Sequence, residues 1–343
     1  MKRESLRTFL AVLVLAMVGG QGCPMGGLGW SSADDNSGGA PSSGDSSGTA
    51  ASNDSNATPN SDGGGGPSIS GCDNGAGFGV GVERIGVLQS TDGGVTWTFL
   101  GHACLHAPGM IPVDPAPRCE NGRVVLYFYD LAGQNSGQSG VTHVMYRAES
   151  VSDDYLEFTA PTAAYSTTQY SMTDPDVALL PDGTYRMYVS VGSVVPSASS
   201  EDGVTFTADE GERSQIGGVP GALVLPDGRV RLFVCGSAGI VSLISNDGLE
   251  FVSEPGVRIS APDAEAICDP DPIQLQDGSY MMVYKIRPAG QMGANSDQVY
   301  LATSTDGLNW TTTGSPIVTG SVPGLVQLDD GTLLIYYVDF GGG

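Results

Sequence analysis

Three strand starts open with aspartate and proline, in Asp114-Pro115, Asp174-Pro175 and Asp269-Pro270, and in two of these a second aspartate, Asp176 or Asp271, follows two residues on. Gathered in one concave place, such carboxylates could divide general acid and general base work. Crowded like charges raise one pKa and keep its proton in place near neutrality. Glu265, four residues before Asp269, is the nearest further acid. Asp176 and Asp271 could bind ligand hydroxyls, and Arg147 and Arg287 could clamp an acidic or hydroxylated ligand. A plainer reading stands beside each of these. An Asp-Pro pair caps a strand start by accepting backbone N–H bonds; an Arg pairs with surplus acid; Glu265 is a solvated loop acid. His102, His106 and His143 show no metal-ligand spacing, and neither do the cysteines.

The elements that must position these residues are repeated hairpins. Asp174-Pro175-Asp176-Val177 runs into Asp182-Gly183 as a turn and then into Tyr185–Ser190 as a second strand. The unit returns at Asp269 with Asp277-Gly278. It returns with Val in place of Asp at Val219-Pro220-Gly221 and Val322-Pro323-Gly324, whose turns are Asp227-Gly228 and Asp330-Gly331. In all four the turn Asp lies eight residues after the first motif residue. A looser copy starts at Asp114-Pro115 and turns at Asn121-Gly122. A chain with five copies of one hairpin is a repeat protein.

A second motif recurs between the hairpins, fullest in Ser90-Thr91-Asp92-Gly93-Gly94-Val95-Thr96-Trp97, with relatives at Ser200, Ser245 and Ser304 and a degenerate copy at Ser152. Its Ser and Asp side chains accept nearby backbone N–H groups, its Gly takes the positive φ, and its aromatic ring plugs the gap between sheets. It resembles the Asp-box of sialidases and other β-propellers. That resemblance implies an outer turn, away from the axis, so Asp92, Asp202, Asp247 and Asp306 are set aside from catalysis. The chain opens with an orphan outer pair around Arg84–Leu88 and ends with an orphan inner hairpin, Leu325–Tyr337. Joining the two completes a fifth blade and leaves no open sheet edge. The expected fold is all-β: a five-bladed β-propeller closed by the N- and C-terminal segments in its last blade.

Residues 1–22 read as an export signal, with Lys2, Arg3 and Arg7 before the apolar run Phe9–Val18. Cys23 follows Gly22 and is the candidate for lipidation, the alternative being cleavage and release. Residues 23–70 form a Gly/Ser/Asp/Asn tract too poor in large apolar residues to fold; this linker would span about 40 Å as a flexible coil. The propeller is assigned to residues 71–343. A formal charge of −24 argues against nucleic acid and anionic lipid as partners, leaving a membrane only through a lipid at Cys23. A monomer is expected. Lys2 and Lys285 are the chain's lysines. Export permits disulfides, and the preferred pairs are Cys104–Cys119 and Cys235–Cys268, with Cys72 unpaired or swapped into one of them.

The Asp-Pro strand starts and the five-fold DPDV…DGxYxMYVS pattern resemble the five-bladed glycoside hydrolases of the arabinanase, xylosidase, invertase and levansucrase group (families 43, 32 and 68). The resemblance covers residues 80–343. It implies carbohydrate as partner, with Asp114 as base or nucleophile and Asp174 as the residue that tunes pKa. The group's acid is a Glu at the start of the third blade, a position that here reads Val219-Pro220-Gly221. Glu265 is the substitute expected for it, and Asp269 a tuner or substrate ligand. No cofactor is expected, though a calcium ion in the central channel stays open. Where sialidases carry Arg-Ile-Pro this chain has Met110-Ile111-Pro112. Two readings follow: an exported hydrolase of a poly- or oligosaccharide, and a non-catalytic glycan- or protein-binding propeller tethered to the cell envelope.

Overall fold

The computed structural model describes residues 84–132 and 141–341. The expected signal segment, Cys23, the linker and Cys72 lie outside the described residues. The first two strands, β1 (Arg84–Ser90) and β2 (Thr98–His102), are followed by four complete sheets. Blade 1 holds β3 (Pro112–Glu120), β4 (Arg123–Asp130), β5 (His143–Glu149) and β6 (Thr162–Thr167). Blade 2 holds β7 (Thr173–Leu179), β8 (Tyr185–Ser190), β9 (Val195–Ser200) and β10 (Thr207–Ser214). Blade 3 holds β11 (Gly218–Val224), β12 (Val230–Gly236), β13 (Gly239–Ser245) and β14 (Phe251–Ser253). Blade 4 holds β15 (Ala266–Gln274), β16 (Tyr280–Arg287), β17 (Gln298–Ser304), β18 (Thr311–Thr312) and β19 (Val318–Thr319), the last two both pairing with β17. The final hairpin, β20 (Ser321–Gln327) and β21 (Leu333–Asp339), adds β1 and β2 in the order β20-β21-β1-β2 and makes blade 5 from both ends of the described chain. The expected five-bladed propeller and its mode of closure are both present.

The inner strands β3, β7, β11, β15 and β20 pack on one another in a closed ring. The core is correspondingly divided into five clusters, one between each pair of neighbouring blades. Strand β4 shows how one strand serves two of them. Val124, Leu126 and Phe128 face the cluster shared with blade 5, while Val125, Tyr127 and Tyr129 face the cluster shared with blade 2. Side chains alternate along a strand, so a sheet buried on both faces needs an unbroken apolar run. Only the outermost strands, such as β10, are polar enough to meet water.

The recurring turns form as their residues require. Ser90 Oγ donates to Asp92 Oδ1 (2.8 Å), and Asp92 accepts the N–H groups of Val95 and Thr96 (3.1 and 2.9 Å). The turns at Ser200, Ser245 and Ser304 repeat this. The Thr96 hydroxyl and N–H hold the Asp92 carboxyl down at about 2, and the Glu250 and Leu249 N–H groups do the same for Asp247. Their aromatic residues, Trp97, Phe158, Phe206, Phe251 and Trp310, each pack into a different inter-blade cluster. The blade before each turn reaches over to it: the Tyr127 hydroxyl donates to Gly203 C=O, Tyr188 to Gly248 C=O (3.0 Å) and Arg231 to Gly307 C=O (2.9 Å). Cys235 and Cys268 form a disulfide between blades 3 and 4, as expected; Cys104 and Cys119 are each disulfide-bonded.

Two glycines carry tight inter-blade approaches next to the axis. A Cβ on Gly324 would run into the Pro115 carbonyl oxygen and the Pro117 ring, and one on Gly221 into the Pro270 carbonyl oxygen. Gly324→Ala, at the closure between blades 5 and 1, is expected to cost about 1–3 kcal/mol by overpacking, read as a lowered thermal midpoint. An unchanged midpoint would show that the closing contact has room to relax.

Candidate functional site

Each inner strand begins with the same backbone device. Asp114, Asp174, Val219, Asp269 and Val322, all preceding proline, take positive φ values of 55°, 48°, 54°, 55° and 46°. At the same point the register with the second strand slips, between Val113 and Ala116, Thr173 and Asp176, Gly218 and Gly221, Cys268 and Asp271, and Ser321 and Gly324. A bulge of this kind bends the strand and re-aims a side chain. Proline disfavours the right-handed helical region for the residue before it, which narrows the alternatives. The five starts consequently line one small cavity on the axis, together with Asp176, Asp271 and the five prolines. Its volume is about 30 Å³, room for one water or one ion.

The five carboxylates in this neck are not equivalent. Asp114 Oδ2 accepts the N–H of Asp174 on the next blade (3.1 Å), and Asp269 Oδ2 that of Val322 (3.1 Å). One level down, Asp176 accepts Ala222 N–H, and Asp271 accepts Leu325 N–H (2.6 Å). Four aspartates therefore staple their blade to the following one. Asp174 differs. Its Oδ2 accepts the Thr173 hydroxyl (2.6 Å), while the corresponding N–H on the next blade, that of Val219, donates to Ser190 Oγ (3.1 Å). The Asp269 N–H turns to the disulfide, 3.3 Å from Cys235 Sγ.

Burial raises the pKa of Asp114, Asp174, Asp176 and Asp271. Burial and the Asp174 charge push Asp114 well above the usual carboxylate range; burial and Asp269 push Asp174 up to about 6. Burial also raises Asp176, and burial with the Asp176 charge raises Asp271 well above normal. Set against these acids is Lys285 on β16, whose Nζ lies 2.8 Å from Asp269 and 3.5 Å from Asp297. Burial alone would lower the ammonium pKa, but the Asp269 carboxylate outweighs it and the pKa is raised. Asp297, fully buried, also takes a bidentate pair from Arg287 (2.6 and 3.0 Å) and a hydrogen bond from Ser321 Oγ (2.9 Å).

The structure thus brings together Asp114, Asp174, Asp176, Asp269 and Asp271. Arg287 stands near them but is held by Asp297. Arg147 is on the third strand of blade 1, paired with Glu149 (2.6 Å) and 3.9 Å from Glu120, outside the residues lining the axial cavity. Glu265 is exposed on the approach to β15, its N–H bonded to the Arg287 carbonyl (2.9 Å). Lys285 and Asp297 are the participants that spacing did not suggest. One sequence signal pointed at Lys285: it is the single lysine of the folded region. Among the described residues, the His/Cys/Asp/Glu group compact enough for a metal is Cys235, Cys268 and Asp269. Two of its three donors are the disulfide sulfurs, which cannot act as thiolate ligands.

No protein-family model matches the chain, and no curated protein matches it either. Among solved structures it is similar to a xylan β-1,4-xylosidase of Bacillus halodurans, with a TM-score of 0.53 and 14% identity over 67% of this chain and 49% of that one. A GH43 protein of Bacillus licheniformis gives 0.52 and 14% over 68% and 49%, and a putative glycoside hydrolase of Bacteroides ovatus gives 0.51 and 15% over 66% and 86%. At such identities the likeness establishes the fold, a five-bladed propeller of the kind seen in glycoside hydrolases.

Proposed function

We propose that this protein is an exported, carbohydrate-active propeller that hydrolyses a poly- or oligosaccharide across the mouth of its central channel. The observation that supports this is Asp174 at the axis: its carboxylate takes no inter-blade N–H among the described residues, and burial with the Asp269 charge pushes it up to about 6, suited to a base near neutrality. Hydrolysis breaks the bond from the anomeric carbon to the leaving oxygen. An acid protonates that oxygen while a base takes a proton from the water that attacks the carbon. The family resemblance gives the base role to Asp114 and the tuning role to Asp174. The structure favours the reverse: Asp174, pushed to about 6, is ionised at neutral pH and its carboxylate is free of any inter-blade N–H among the described residues, while Asp114 is tied to the Asp174 N–H and raised well above the usual carboxylate range by burial and the Asp174 charge. Glu265, on the exposed approach to β15, serves as the acid; Asp269 and Lys285 fix the local charge. Asp176 and Asp271 hold the neck. Export, the linker at 23–70 and lipidation at Cys23 remain part of this reading and put the propeller at the cell envelope.

A second reading is favoured by one specific observation: Val219 occupies the start of the third blade, where the resemblance would put the acid. In that reading the propeller binds a glycan without turning it over.

The two separate on a panel of arabinans, xylans, fructans and sialosides. Turnover should appear with one substrate, rise with pH through about 6, and fall at least ~100-fold in kcat in Asp174→Asn and in Glu265→Gln. Binding without turnover on every substrate would select the second reading.

Stability gives an independent check on Asp174. Its folded pKa, about 6, exceeds its ordinary value of 3.8, so between these pH values the folded protein holds more proton than the unfolded chain. Stability from this group is therefore lost as pH rises through that window, by up to about 3 kcal/mol. Asp174→Asn should unfold at higher urea than the parent at pH 7 and show a flatter dependence from pH 4 to 6. Parallel curves for the two would mean that Asp174 titrates normally.

A further inference from the structure

Blade 2 has the longest outermost strand of the ring: β10 has eight residues, against six in β6, five in β2, three in β14 and two in β18. It pairs with β9 through two register slips, between Ala208 and Glu212 and between Glu212 and Ser214, with Gly211 at φ 81°. The bulged stretch stands off β9 and forms one wall of a groove. A second wall is the β8–β9 turn, closed by reciprocal bonds between Val191 and Val194 (2.9 and 3.2 Å). The third is Gln169-Tyr170 on the β6–β7 connection, where the Tyr170 and Tyr165 hydroxyls lie 2.8 Å apart. The groove encloses about 450 Å³, against about 30 Å³ at the axis. Only the first falls in the range of roughly 300–1,000 Å³ usual for small-ligand sites.

We propose that this groove binds a neutral saccharide segment, a proposal that rests on the carbohydrate reading above and adds a site to it. Val191, Val194, Pro196 and the Tyr170 ring supply an apolar surface of the kind that receives the face of a sugar ring. Gln169, Glu210 and Glu212, all exposed, offer hydrogen-bonding groups for hydroxyls. The Asp209 wall is fixed in advance: its carboxylate accepts Ser197 Oγ (2.6 Å) and Ser199 Oγ (2.7 Å) and sits 3.4 Å from Arg186 Nε. The charges lining the groove, Asp209, Glu210 and Glu212, are all acidic. The neighbouring Arg213 is engaged elsewhere, donating to the Leu249 carbonyl (2.8 Å) and to the Glu210 carbonyl. Uronates, sialates and phosphates are repelled; a neutral glycan is not. The connection that walls the groove at Tyr170 continues through buried Met172 and Thr173 into Asp174, so a saccharide seated here lies on the segment that carries the proposed base.

Calorimetric titration of the purified protein with neutral xylo-, arabino- and fructo-oligosaccharides tests this, with oligogalacturonate and spermine as charged probes. One neutral series should bind. Ala208→Trp, which fills the groove from an exposed position on the outer strand, should weaken that binding at least about tenfold, as should Tyr170→Ala. Binding indifferent to Ala208→Trp, no binding of any neutral series, or a groove that takes oligogalacturonate or spermine instead would each overturn the proposal. Groove-dependent binding without hydrolysis leaves the groove standing and removes the hydrolase; hydrolysis with binding unaffected by Ala208→Trp does the opposite.

Discussion

The ring depends on five residues held in left-handed backbone immediately before proline. For a non-glycine residue this conformation costs on the order of 1–2 kcal/mol, and more for the β-branched Val219 and Val322. It persists because the surroundings fix it several times over. The register slip leaves each strand start unpaired within its own hairpin, so its polar groups must be satisfied from outside. The neighbouring blade does this, through the N–H of Asp174 on Asp114, of Val219 on Ser190, of Asp269 on Cys235 and of Val322 on Asp269. Small residues at Ala116, Gly221 and Gly324 let neighbouring backbones close to that distance. Strain inside each blade is thereby balanced by cohesion between blades. In a fold with five separate cores rather than one, this cohesion sets the geometry of the axis.

The same bonds decide which carboxylates can do chemistry. An aspartate whose oxygen is tied to a neighbouring backbone N–H is a structural part, since moving its charge or its position would open the seam it closes. Asp114, Asp176, Asp269 and Asp271 are in this class. Asp174 is spared because Ser190 does the seam-closing work at the following joint. The substitution of a hydroxyl for a carboxylate at one seam is thus what leaves one acid of the ring able to change its protonation without loosening the ring. Lys285 and Arg287 serve a related end, by giving the buried Asp269 and Asp297 charges partners they would otherwise lack.

How much of this the sequence could show follows from the range of each interaction. The hairpins were legible because Asp-Gly turns and alternating strands are local, and the recurring Ser-x-Asp-Gly turns because their hydrogen bonds stay within four residues. Blade count and closure followed from the order of the pieces. The convergence of the Asp-Pro starts followed from the repeat. The staples did not, because the Asp114 partner is 60 residues away and that of Asp271 is 54. Nothing local distinguishes a carboxylate that binds a remote N–H from one that faces solvent. Arg147 and Arg287 were recognisable as cations, but their partners Glu149 and Asp297 are pairing choices made by the sheets and are invisible in local spacing. The positive φ at Val219 and Val322 runs against residue preference, and no local signal in the sequence announced it.

The narrow neck constrains any substrate. Five prolines and two valines surround the carboxylates at the axis, and the space left is that of a single water. A sugar ring cannot descend to Asp114 or Asp269, both buried, so a reacting bond must stop above them. Asp174, only partly buried, is the member of the three strand-start carboxylates that can meet it there, and Glu265 on the approach to β15 is exposed. In the proposed reading, reactivity and room are divided between the axis and the rim of blade 2, and the β6–β7 connection joins them. A long ligand that satisfies both must lie across the face of the propeller from blade 2 toward the axis. A short one would have to choose between the pocket that can hold it and the carboxylate that could act on it.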